Sequence, residues 1–175
     1  MHPKNPTMIP KRAVLDTNVC LDLFVFRDPR WHALLAALRD GALQACTRED
    51  CRAEWHHVLH YPHLKLDDEN RTRVTREFDL LIPCRRQDGA QPTTPAPLPI
   101  CKDRDDQKFL ELARDARADV LITKDKALLK LAGKTRRSGL FRIMTPEAWT
   151  REHDLAREAT ATAAGTQTTT ARVAD

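Results

Sequence analysis

In the stretch "KRAVLDTNVC" the apolar run Ala13-Val14-Leu15 stops on an acid, Asp16, and in "DVLITKD" the run Val120-Leu121-Ile122 is followed after two residues by Asp125. A third acid, Glu54, lies within "REDCRAEWHHVLHY", in line with Cys51, Val58 and Tyr61 at helical spacing, which places it on an inward face. The segment "CKDRDDQKFLELARDA" adds Asp106 at the inner edge of a helix's first turn, with Asp103 one turn earlier. Each acid alone has an ordinary explanation. Asp16 and Asp125 suit helix caps or turns, Glu54 can meet a buried cation, and Asp103 to Asp106 favour the positive end of a helix dipole. Four such coincidences around one sheet are harder to accept. Carboxylates brought together repel, which raises some of their pKa values or calls in a cation. Oxygen-only ligands suit hard ions such as Mg²⁺ or Mn²⁺, and such ions activate water for in-line attack on a phosphodiester.

The elements that must position these acids alternate in type. Residues 12–15 read as a strand, 17–26 and 30–40 as helix, "ALQACT" as a strand, and Thr47 with Asp50 as a capping box opening the next helix. Asp67 opens a helix carrying Val74, Phe78 and Leu81. "LLIPC" reads as a third strand, and the four prolines of "RRQDGAQPTTPAPLPI" make a surface loop. A helix over about 105–117, the strand "DVLITK", a helix from 126, the strand "FRIMT" and a helix capped by Thr145 complete the order. Strands alternating with helices imply an α/β fold, a parallel sheet covered on both faces, whose function collects at the strands' carboxyl ends. The folded domain is expected over 12–153, with residues 1–11 a flexible segment and the Ala/Thr-rich 154–175 a disordered tail.

"VLDTNV", "TREDCRAEWHHVL", "CKDRDDQKFLELA" and "LITKD" resemble, in order and spacing, the four acidic motifs of PIN-domain ribonucleases, and are most similar to the branch of toxin–antitoxin toxins related to VapC. The resemblance implies a three-layer α/β/α sandwich around a central parallel sheet, with an acidic pocket that binds Mg²⁺ or Mn²⁺ and hydrolyses RNA. It implies Asp16, Glu54, Asp106 and Asp125 as catalytic, metal-site acids, with Asp103 the alternative to Asp106 as third ligand. Asn18 and Thr123 match flanking polar positions that orient a ligand or an acid. It also implies a cognate antitoxin as partner, and dimerisation is frequent among relatives. Two positions depart from the pattern. Lys124 stands where many relatives carry Gly, and Gln107 where related sequences often carry an acid.

Other features bound the reading. A net charge of +4 permits a polyanionic partner without demanding one. Basic clusters occur at Arg71, Arg73 and Arg76, at Arg85 and Arg86, and at Lys134, Arg136 and Arg137. Five scattered cysteines without a C-x-x-C pair suit reduced, buried thiols. His56 and His60 share a helical face, but no Glu follows the first His as the zinc-protease pattern requires. An aspartyl phosphatase would want an acid at position 18, where Asn18 stands. No run approaches the roughly 18 apolar residues of a membrane span, and a cytoplasmic location is expected. The competing reading is a catalytically silent PIN-like module that binds RNA or protein.

Overall fold

In the computed structural model, residues 11–85 and 95–167 are described. Four strands, β1 (Lys11–Leu15), β2 (Leu43–Ala45), β3 (Val120–Ile122) and β4 (Arg142–Met144), form one all-parallel sheet in the order β2-β1-β3-β4. Around it lie α1 (Thr17–Cys20), α2 (His32–Arg39), α3 (Glu49–Val58), α4 (Asp68–Leu81), α5 (Gln107–Asp115), α6 (Lys126–Leu129), α7 (Ala132–Arg137) and α8 (Pro146–Gln167). The expected α/β/α layering is therefore what the chain adopts.

Strand periodicity explains the two cores. Successive residues of a strand face opposite ways. Ala13, Leu15, Val120, Ile122 and Met144 join one buried cluster with Leu34, Leu38, Trp55, Phe78 and Trp149 from α2, α3, α4 and α8. Val14, Leu121 and Ile143 face the other side and pack with Phe109, Leu110 and Ala113 of α5 and with Leu128 and Leu131. Aromatic contacts tie the first layer together. The rings of Trp55 and Phe78 stack at 4.8 Å, and Phe24 meets both edge-on.

The connection between β1 and β2 runs as α1, a π-helical turn over Leu21–Val25, a 3₁₀ turn over Pro29–Trp31, and α2, close to the expected helices. Several other expectations need correction. Thr47 makes no capping box. The helix starts after Arg48 without a side-chain cap, the Thr47 hydroxyl donates to the Arg48 carbonyl, and Asp50 accepts from the Arg48 guanidinium. "LLIPC" is not a strand: Leu81 still belongs to α4, and only a single parallel bridge joins Thr47 to Cys84. Tyr61 lies beyond the end of α3 and is exposed, so the inward line of that helix stops at Val58. The chain from 154 is helical through Gln167, because α8 continues past the packed part that holds Trp149. Of the Pro-rich loop, residues 95–100 carry no regular structure, while 86–94 lie outside the described residues, as do 1–10 and 168–175. All five cysteines are free; Cys20, Cys51 and Cys101 are buried, Cys46 is half-buried and Cys84 is exposed. Among the described residues, no helix is long and apolar enough to cross a membrane.

Candidate active site

The strand order creates the site. The chain leaves β1 for β2 on one side and later returns to β3 on the other, so the carboxyl ends of β1 and β3 flank a topological switch point. Leu15 pairs with Ile122, and the Asp16 amide donates to the Ile122 carbonyl at 3.0 Å. That register sets Asp16 beside Thr123.

Asp16 is only 4% exposed, so its carboxylate must be compensated by neighbours. The Thr123 hydroxyl donates to its Oδ2 at 2.6 Å and the Asn18 amide at 2.8 Å. Burial nevertheless raises the carboxyl above its usual range, and nearby Glu54 pushes it further up against the hydrogen bond from Thr123. Thr123, fully buried, also accepts from the Asp125 amide at 2.9 Å. Asn18 in turn accepts at its Oδ1 from the Lys124 amide at 3.3 Å. Both polar residues thus stitch the end of β1 to the end of β3.

Asp125 caps α6, its Oδ1 accepting from the Ala127 and Leu128 amides at 2.7 and 3.1 Å. Asp106 sits half-buried just before α5, and its carboxyl is pushed up to about 7. Burial is the largest cause, followed by the charges of Asp16, Asp125, Asp103 and Glu54, all acting in one direction. The charges of Asp16, Glu54, Asp103 and Asp125 thus all bear on Asp106. Asp103 is the outermost: it is exposed, and its Oδ1 accepts from the Asp105 amide at 3.0 Å.

Glu54 has two partners that sequence reasoning missed. Its Oε1 accepts from the Thr17 hydroxyl at 2.6 Å, and its Oε2 is paired with the Lys108 ammonium. A signal for the second existed, since Lys108 lies four and eight residues before Leu112 and Ala116, in line with the buried stripe of α5. The departure at 124 also has a structural account. The Lys124 ammonium reaches Asp22 Oδ2 at 2.5 Å, an oxygen that also accepts from the indole of Trp31 at 3.2 Å. Gln107, the other departure, accepts from the Cys101 amide at 2.7 Å and donates to the Pro99 carbonyl, pinning the loop before α5.

Among the described residues, no three His, Cys, Asp or Glu side chains are drawn into a ready metal cage. The donor set still fits a hard divalent ion in its chemistry. It is made of carboxylate oxygens, and one of them, Asp106, is driven towards neutrality first by burial and then by the charges of the others, the state that a cation relieves.

The class that the fold defines is an α/β/α domain around an all-parallel sheet, with Asp16 and Asp125 just beyond its two central strands. The comparison is more specific: the family model of the PIN domain matches residues 12–127, and the chain belongs to the PIN-domain family. No curated protein and no solved structure matches it. PIN domains are generally nucleases, so membership supports a hydrolase.

Proposed function

We propose that this protein is a divalent-metal-dependent endoribonuclease, and that it acts as the toxin of a toxin–antitoxin pair. The observation that carries the nuclease reading is that the Asp16 carboxylate and the Asp125 amide meet on the Thr123 hydroxyl at the sheet's switch point, with Glu54 held beside them by Thr17. The toxin reading rests on the likeness of the four motifs to that branch of the family.

Asp16, Asp106 and Asp125 would hold the ion, with Glu54 at the edge of the set and Asp103 at its rim. A bound Mg²⁺ or Mn²⁺ would neutralise these acids, lower the pKa of a water and stabilise the charge that develops on the phosphate. The chain's own residues have separate tasks. Thr123 and Asn18 fix the Asp16 carboxylate by two hydrogen bonds to its Oδ2. Lys108 and Thr17 hold Glu54 in place and remove part of its charge.

The same Lys108 contact favours a second reading, a silent binding module, because an acid already paired with an ammonium has less need of an ion. Incubating the protein with a broad panel of RNAs and Mn²⁺ or Mg²⁺ separates the two. The enzyme reading expects cleavage that EDTA abolishes and that Asp16→Asn and Asp125→Asn each reduce by on the order of a hundredfold or more, as for loss of one charge-stabilising group. Cleavage that survives both changes, or that needs no divalent ion, overturns it, and a wild type that binds RNA without cutting it supports the module.

A further inference from the structure

We infer that the outer face of α6 and α7 is the track along which a single-stranded RNA backbone is held next to the acidic site. The inference rests on the nuclease reading only for the nature of its ligand. Between residues 124 and 137 the chain carries Lys124, Lys126, Lys130, Lys134, Arg136 and Arg137, and its one acid there is Asp125. Backbone hydrogen bonds run almost without a break from α6 into α7, through Lys130 to Lys126, Leu131 to Leu128 and Thr135 to Leu131. Leu128, Leu131 and Thr135 are buried. Lys126, Lys130, Lys134 and Arg137, spaced four, four and three apart, are exposed along the opposite side.

Three observations single this face out from the other basic clusters. Arg71 is paired with Asp68 at 2.5 Å and also donates to the carbonyls of Leu59 and Leu66. Arg73 donates to Asn70, on a helix that also carries Asp68, Glu69, Glu77 and Asp79. Arg85 donates to the Asp115 carbonyl. Lys126, Lys130, Lys134, Arg136 and Arg137 make no ion pair among the described residues, nor do Arg73, Arg76 and Arg85, but from 126 to 137 no acid stands among them. The row also begins at Asp125, whose carboxylate belongs to the acid cluster and whose cap starts α6. A strand of phosphates lying on it is thereby delivered to the acids, which would otherwise repel it. Such contacts hold the backbone and read no sequence.

The test is fluorescence anisotropy of a labelled single-stranded RNA oligonucleotide in EDTA, where binding is seen without cleavage, over a range of KCl concentrations. The variant joins Lys126→Ala, Lys130→Ala, Lys134→Ala and Arg137→Ala, and Arg73→Ala with Arg76→Ala is the control. The track expects the fourfold variant to bind at least about tenfold more weakly, with a salt slope shallower by about 0.7 for each lost phosphate contact. The control should bind as wild type, and the gain in Tm on adding Mn²⁺ should be the same in all three proteins. Equal affinity and slope in wild type and fourfold variant overturn the track, whether or not the protein cleaves RNA, and would leave the face to an acidic protein partner. Wild-type RNA binding that the fourfold change weakens, without any cleavage in Mn²⁺ or Mg²⁺, sinks the nuclease reading and upholds the track.

Discussion

Asp106 shows how far burial, with acidic neighbours acting in the same direction, can move a single side chain. Its carboxyl stands at about 7 instead of the usual 3.8, so between those values the folded protein keeps a proton that the unfolded chain has lost. Folding is then disfavoured progressively as pH rises through that window, and the penalty is complete above about 7. Replacing Asp106 by the neutral Asn removes it. In EDTA, the Tm of Asp106→Asn should match wild type below about pH 4, pull ahead between about 4 and 7 and hold a constant lead above. A difference in Tm that does not change with pH would show that Asp106 is not crowded. At this scale the sequence was readable where an acid interrupts an apolar pattern, as at Asp16, Glu54 and Asp125. It put Lys108 in line with the buried stripe of α5 but did not pair it with Glu54, because that pair exists only once α3 and α5 lie side by side.

Among the elements, α6 is four residues long and depends on its start. Asp125 serves it as cap and serves the site as acid, and two substitutions separate these duties. Asp125→Ala leaves two backbone amides without their acceptor and should lower stability by about 1 kcal/mol in urea unfolding. Asp125→Asn keeps an oxygen for the cap and should lose only a few tenths of that, while both variants lose cleavage alike. Parallel losses of stability and activity would mean that Asp125 acts through the fold alone. Helix starts were legible where one side chain accepts from one amide, as Asp67 does from Asn70 and Thr145 from Ala148. The start at Arg48 was not. There Asp50 is taken by the Arg48 guanidinium, and that guanidinium also reaches Glu111 on α5, a tertiary demand that outweighs a local cap. "LLIPC" failed as a strand for a related reason: Pro83 has no amide to donate, and pairing stops at one bridge.

For the whole molecule, the alternation of helix and strand foretold the layering, since every parallel crossover needs a covering element. The extent of α8 was not foretold, because its last turns have no apolar stripe to announce them. Residues 154–162 are exposed and add little to either core, whereas Trp149 is buried and Glu152 pairs with Arg142 at 2.6 Å. A chain ended after His153 should therefore melt at the same temperature as the full-length protein by calorimetry, and a large drop would show that the outer part of α8 is held by contacts of its own. The sheet order carries a last consequence. β2 and β4 are the margins and β1 and β3 the middle, so fraying at either margin leaves the two central ends still hydrogen-bonded to each other. Asp16 and Asp125 ride on the portion of the molecule that opens last. Heat or denaturant that loosens the borders spares their spacing, which is lost only in the same cooperative event that dissolves the sheet.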